Sequence, residues 1–145
     1  VTRTITVPAG AFSPVSSNTD FFIYWERVST TTGSGTFTAP LFFEAPEVTI
    51  RKITLFARDG NTDKVCAYLV RSNPGVPGGG GQEMGRVCSE GASDDYPRAF
   101  TESSLAVRKI TAIYGPFLWV SLPGPATDKY AFFGVRITYT YETGG

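Results

Sequence analysis

The sequence predicts an all-β protein, an antiparallel sandwich or barrel of about nine or ten short strands. Three observations carry this. Apolar stretches alternate with period two or run for only a few residues between turn signals. The 145 residues include 11 Phe and 7 Tyr among many Thr, Val and Ile, a strand-forming composition, while 16 Gly and 10 Pro supply the turns. No amphipathic helical period of useful length occurs anywhere. The length fits one domain, residues 1–145, with a core of its own.

In chain order, Thr2–Val7 alternates Thr/Arg/Thr with Ile and Val and stops at Pro8. A loop follows from Phe12, then a short apolar strand, Phe21–Trp25. Residues Thr30–Gly35 form a turn, and Thr36–Phe43 a strand interrupted at Pro40. Glu47–Arg58 is a long strand with a phase slip. Val48 and Ile50 share one face and Ile53 and Leu55 the other, which a bulge near Arg51-Lys52 reconciles. Ser89–Thr101 reads as polar loop, and Leu105–Tyr114, Phe117–Leu122 and Lys129–Glu142 as strands. Near the end Val135, Ile137, Tyr139 and Tyr141 fall on one face. Ile50–Thr54 (IRKIT) is echoed by Val107–Thr111 (VRKIT). Each copy precedes a turn and an apolar strand, so a repeated strand pair and chance similarity both stand as readings.

The segment Lys64–Glu90 is organised as two β-rich arms about a loop dense in Gly and Pro, with one cysteine in each arm. Pairing the arms about Pro77 sets Cys66 opposite Cys88, Tyr68 opposite Arg86 and Val70 opposite Met84. Directly opposed residues of an antiparallel pair lie within reach of a disulfide. Buried free thiols are the other reading. A bridge favours an oxidising compartment. The chain opens on Val1 and carries no leader-like charged and apolar segment, so it is either a trimmed chain or a mature one after export, and the two cysteines favour export.

A resemblance follows from Ile5–Phe12 (ITVPAGAF), the central strand–Asp turn–strand unit and Gly134–Tyr141 (GVRITYTY). With these the chain resembles small exported bacterial β-sandwich domains, mostly of unassigned function. The resemblance implies a jelly-roll-like sandwich in an extracellular or cell-surface location, and it brings no catalytic residue.

Composition narrows the chemistry. Thirteen basic and thirteen acidic residues, interspersed, leave no electrostatic footprint for nucleic acid. No apolar run approaches the ~18 residues of a membrane-spanning helix. Without histidine there is no Ser-His-Asp or Cys-His machinery and no HExxH zinc helix. Gly78–Gly81 lacks the Lys-Ser/Thr of a phosphate loop. Glu26, Glu44, Glu47 and Glu102 are the acids available for glycoside hydrolysis, but they form no recognisable pair. Asp59, Asn61 and Asp63 place oxygen ligands at alternate positions, as calcium loops do, and are equally ordinary turn residues. Asp94 and Asp95 add oxygens only if the fold brings them near. Trp25, Trp119, Tyr24, Tyr114, Tyr130 and Tyr96 are candidates for a sugar-stacking platform. Trp25 and Trp119 lie in apolar runs, which favours core packing for them.

Two functions remain, neither enzymatic and neither with an assigned cofactor. The leading expectation is a structural subunit that self-assembles into a surface or fibre structure. The terminal strands lack the Lys or internal Pro that blunts a sheet edge, so Thr2, Thr4, Thr6, Ile137, Tyr139 and Tyr141 are the expected contacts with neighbouring copies. Side-by-side pairing of the two strands within one sandwich is the competing arrangement. The alternative function is a carbohydrate-binding module, favoured by exposed aromatics in a row on one face. The cysteine assignment is checked by intact mass: without reductant, neither Cys66 nor Cys88 takes up an alkylating reagent, and with reductant both do.

Overall fold

The structure, a computed structural model, describes residues 1–16, 21–23, 27–30, 34–60, 63–77, 80–90, 97–123 and 130–143. Tyr24, Trp25, Glu26, Asn61, Gly78, Asp94, Asp95 and Tyr96 lie outside the described residues. Among the described residues twelve strands form two antiparallel sheets that pack into a jelly-roll-like sandwich. They are β1 (Thr2–Pro8), β2 (Ser13–Pro14), β3 (Phe21–Ile23), β4 (Val28–Thr30), β5 (Gly35–Pro40) and β6 (Val48–Asp59). The second half supplies β7 (Cys66–Ser72), β8 (Gln82–Cys88), β9 (Arg98–Glu102), β10 (Lys109–Ile110), β11 (Gly115–Leu122) and β12 (Tyr130–Thr140). Two of the twelve, β2 and β10, are only two residues long, which accounts for the excess over the count expected from sequence.

The seven-stranded sheet is built on β6 and β12, paired from Asp59↔Tyr130 to Thr49↔Thr140. The far edge of β12 takes β1 and β4, and the far edge of β6 takes β9 and β10. The five-stranded sheet runs β2-β5-β11-β7-β8. Residues of both sheets meet in one apolar cluster, with Phe37, Leu69, Leu118 and Val120 from the smaller sheet against Leu55, Phe132, Val135 and Ile137 from the larger. The Phe12 and Phe132 rings meet edge to face with their centroids 4.9 Å apart.

The phase slip in β6 is resolved by a register shift against β12. Lys52 faces Thr138 but Ile50 faces Tyr139, so Arg51 is the extra residue, and Val48, Ile50, Ile53 and Leu55 are all buried. A second shift sets the extra residue at Phe133, beside Gly134. There β1 passes so close that a Cβ on Gly134 would lie 2.9 Å from the Val7 carbonyl oxygen.

The IRKIT and VRKIT segments become neighbours in the larger sheet, joined by the Ile50 N–H donating to the Arg108 carbonyl at 2.8 Å. Each leads into a strand of the smaller sheet, β7 and β11, and those two strands pair. The second copy contains only the two-residue strand β10, so the two segments do not fill equivalent strands.

Two segments differ from their sequence reading. Residues 98–101, the end of the segment read as loop, belong to β9, which pairs with β6. Leu105–Tyr114, read as strand, is mostly irregular. β9 leaves most of its side chains exposed and so shows no apolar alternation to betray it.

The terminal strands pair with each other, Thr2↔Thr140 through Pro8↔Gly134. The ladder is extended by the Tyr141 N–H donating to the Val1 carbonyl at 3.1 Å. Of the residues expected to contact other copies, Ile137 and Tyr139 are core residues. Thr2, Thr4 and Thr6 stay on the surface, where Thr6 Oγ1 accepts a hydrogen bond from Arg136 Nε at 3.2 Å. Tyr141 is half-buried and stacks on Tyr139 with ring centroids 6.2 Å apart.

Two predictions follow from this packing. Gly134→Ala forces its methyl group on the β1 backbone and lowers the unfolding free energy by about 1–3 kcal/mol in urea titrations. Gly10→Ala, where an added Cβ meets nothing within 4 Å, stays within about 0.5 kcal/mol. The second concerns Tyr130 and Tyr139. Burial raises both phenol pKa values, and the hydrogen bond and negative charge of Glu44 raise Tyr139 further. Their neutral forms are therefore favoured by the folded state. That stability is complete below the unfolded phenol pKa of about 10 and is lost as pH rises through the folded values. Urea titrations above about pH 10 give falling unfolding free energies, with a shallower fall for Tyr139→Phe.

Candidate functional site

The alternation of β11 decides the site. Leu118, Val120 and Leu122 enter the core, so Phe117, Trp119 and Ser121 face out from the middle strand of the smaller sheet. Trp119 is 36% exposed, and its cross-strand partners are Thr38 on β5 and Tyr68 on β7. Tyr68 is paired in turn with Arg86 on β8, whose guanidinium lies 5.2 Å from the Tyr68 ring centroid. The next row along the strands is Pro40, Phe117, Val70 and Glu83. Arg86 Nη2 donates to Glu83 Oε2 at 3.1 Å, so the two charges at this margin neutralise one another. Between the rows lies a shallow depression of about 290 Å³, lined by Tyr68, Val70, Glu83, Trp119 and Ser121.

The hairpin behind this face has the expected staple. Cys66 and Cys88 are disulfide-bonded directly across β7 and β8, with their Cα atoms 4.1 Å apart. Tyr68 faces Arg86 as read from sequence, but Val70 faces Glu83 rather than Met84. A register shift after the Leu69–Gly85 pair takes up Met84, which turns fully into the core. That shift delivers Glu83 to the outer face beside Arg86.

The opposite surface of the sandwich is different in kind. Across the outer face of the larger sheet runs a polar row, Thr6–Arg136–Thr54–Thr101. Its groups are joined by hydrogen bonds from Arg136 to Thr6 and between the Thr54 and Thr101 hydroxyls. Two wider clefts, about 420 and 520 Å³, lie at the margins and are lined by charged side chains of both signs, among them Glu47 and Arg51 in one and Arg98 and Glu102 in the other. Neither gathers aromatic faces as the smaller sheet does.

Of the aromatic candidates, Trp119 is surface and not core, a correction to its reading as a packed residue. Both faces of its run are apolar, and sequence alone does not say which one turns inward. Tyr130 is a core residue, 2% exposed, whose hydroxyl accepts the Asp63 N–H at 3.2 Å. Tyr114 is covered by the Arg71 guanidinium, 4.0 Å from its ring centroid. Tyr68 and Phe117 were absent from the candidates. The signal for Tyr68 was its place two residues from Cys66, on the face where the bridge must lie.

The acidic candidates do not converge. Glu44 accepts from the Tyr139 hydroxyl at 3.1 Å and meets Arg3 at 3.4 Å. Glu47 pairs with Lys109 at 3.3 Å, and Glu102 accepts the Ser104 N–H at 3.0 Å. In the calcium-loop segment, Asp59 is buried and its carboxylate accepts the Ser89 hydroxyl, which also receives the Val65 N–H at 2.9 Å. Asp59 thus ties the start of the hairpin to its end, while Asp63 is exposed. Among the described residues no three His, Cys, Asp or Glu side chains gather into a metal-binding group.

Neither a protein-family model nor a curated protein matches the chain by sequence. Solved structures do match in fold. One is the CBM36-1 domain of a multidomain xylanase from the hindgut metagenome of Trinervitermes trinervoides, with TM-score 0.53 and 10% identity over 98% of this chain and all of that one. Another is carbohydrate-binding module CBM36 in complex with calcium and xylotriose, with TM-score 0.52 and 12% identity over 94% of this chain and 99% of that one. A third is the C-terminal CBM6 of LamC from Zobellia galactanivorans, with TM-score 0.53 and 13% identity over 94% and 99% of the two chains. The likeness is one of fold.

It nevertheless overturns the leading expectation. The neighbours are carbohydrate-binding β-sandwiches rather than fibre subunits, and the terminal strands on which self-assembly rested pair within the chain. The resemblance to domains of mostly unassigned function is corrected likewise, because these neighbours carry named carbohydrate-binding modules. Trp119 is only partly covered, so Trp119→Ala costs about 1–2 kcal/mol of unfolding free energy in urea titrations, from lost cross-strand contact and covered area. Leu118→Ala, in the same strand but fully buried, costs about 2–5 kcal/mol.

Proposed function

We propose that this β-sandwich binds carbohydrate, without turning it over, on the outer face of its smaller sheet. The observation that carries the reading is Trp119, exposed on a central strand with the Tyr68 side chain in register beside it. Exposed, adjoining aromatic faces on a sheet are costly to leave in water and mark a surface that is covered in use. Sugar rings offer a match: their axial C–H faces stack on aromatic rings while their hydroxyls reach polar groups at the rim. Arg86 and Glu83 supply donors and acceptors at one margin and Ser121 at another. The fold neighbours support this reading, since one of them is named for its complex with xylotriose.

The acids Glu44, Glu47 and Glu102 lie off this face and are held by separate partners, which supports a binding role over hydrolysis. No calcium-dependent step is assigned, since among the described residues no three candidate ligands gather around Asp59. The Cys66–Cys88 bridge supports a location outside the cell, where disulfides persist. Among the described residues no helix is long and apolar enough to cross a membrane.

The test is binding to a neutral glycan array, followed by calorimetry on the strongest hit. Trp119→Ala lowers that affinity at least about tenfold, the loss expected when a stacked aromatic surface is removed. Equal affinity in the wild type and in Trp119→Ala, with both folded, overturns the assignment.

A further inference from the structure

Two exposed apolar residues outside the platform point to the shape of its ligand. Phe42, 81% exposed, and Ile113, 62% exposed, are the most exposed large apolar side chains among the described residues. Both belong to the end of the smaller sheet where β5 finishes and β11 begins. Beyond Pro40 the β5 chain stays attached to β11, with the Leu41 N–H donating to the Pro116 carbonyl at 3.2 Å. Leu41 is buried, so the outward parity of Thr36, Thr38 and Pro40 continues to Phe42.

Phe42 thereby reaches the level of Gly115, the β11 residue two before Phe117, whose own partner on β7 is Ser72. Gly115 leaves the floor low there: a Cβ built on it would find its nearest neighbour, Ser72 Oγ, 3.6 Å away. The outward aromatics therefore form an oblique track, Tyr68 to Trp119 to Phe117 to Phe42, stepping from β7 through β11 to the β5 margin. From strand spacing and rise per residue it spans roughly 15 Å. The depression along it is open, and among the described residues the charges in its rows are confined to the self-neutralised Arg86–Glu83 pair at the Tyr68 end.

Resting on the carbohydrate reading above, we infer that the ligand is a neutral, linear glycan bound along its length, with Phe42 and Gly115 forming a distal subsite beyond Phe117. An open track suits an internal stretch of chain, whereas a single terminal sugar needs an enclosing pocket. A track without an unpaired charge offers nothing to a polyanionic chain.

Calorimetry with the disaccharides and hexasaccharides of the xylan, cellulose and β-1,3-glucan series, and with hexagalacturonate, tests this on wild type, Phe42→Ala and Trp119→Ala. Phe42 packs little of its surface, so its variant folds. The expected result is a neutral hexasaccharide that binds more tightly than its disaccharide, an affinity for it that falls about fivefold to tenfold in Phe42→Ala, and a disaccharide affinity that stays within twofold. Hexagalacturonate binds more weakly than the neutral chain. If Phe42→Ala leaves the hexasaccharide affinity unchanged while Trp119→Ala abolishes it, the distal subsite is overturned and the carbohydrate reading stands. Tighter binding of hexagalacturonate overturns the neutral class alone. Absence of binding by every saccharide overturns the carbohydrate reading and this inference with it.

Discussion

The pairing of β12 with β6 holds the larger sheet together. β6 occupies one edge of β12 along its length, and β1 and β4 share the other. Every remaining strand of that sheet attaches through one of these. Two long strands make this possible only because bulges at Arg51 and Phe133 let each keep its apolar residues inward while the register slips. The same arrangement uses the hydrogen-bonding groups of β12 within the chain. The last strand, which looked in isolation like an edge awaiting a partner, is interior to its sheet.

The smaller sheet shows the complementary case. Its inner face is filled by Phe37, Leu69, Leu118 and Val120, and its outer face retains Trp119, Phe117 and Tyr68. On the outer face of the larger sheet, threonine and arginine bond to one another, and the outward Phe56 lies beneath the Arg136 guanidinium, 4.9 Å from its ring centroid. The difference is that Arg136 covers the outward Phe56 of the larger sheet, whereas Trp119 stands beside Tyr68 in an aromatic row on the smaller one. Its rows are fixed by the β7–β8 hairpin, where the Cys66–Cys88 bridge lies one cross-strand pair beyond the Tyr68–Arg86 pair on the same face. A surface held in register by a covalent link loses little freedom when a ligand settles on it.

The fold neighbours are informative because sequence likeness is so low. At 10 to 13% identity the side chains of a surface site are not transferable, and only the sandwich is shared. The site proposed here is therefore argued from the side chains of this chain. The distinction matters for calcium, which the name of one neighbour includes. Asp59 here is spent on Ser89 at the base of the hairpin, a local interaction that closes the loop between β6 and β7.

Much of the fold was legible in the residues. Period-two alternation located β1, β11 and the end of β12, the change of phase between Ile50 and Ile53 gave the bulge, and cysteine placement gave the β7–β8 register as far as Tyr68–Arg86. These are local properties, set by side-chain direction along a strand and by the reach of a covalent bond. The sequence did not reveal β9, whose side chains are mostly exposed, or the shift that turns Met84 inward and Glu83 outward. Nor did it decide the site. In Phe117–Leu122 both faces are apolar, so alternation defines two faces without saying which is the core. Only the position of the second sheet, packed against Leu118, Val120 and Leu122, leaves Trp119 in water beside a tyrosine 51 residues earlier in the chain. Composition and alternation determined that this chain folds into sheets; the stacking of one sheet on the other decided which aromatics it buries and which it offers to a ligand.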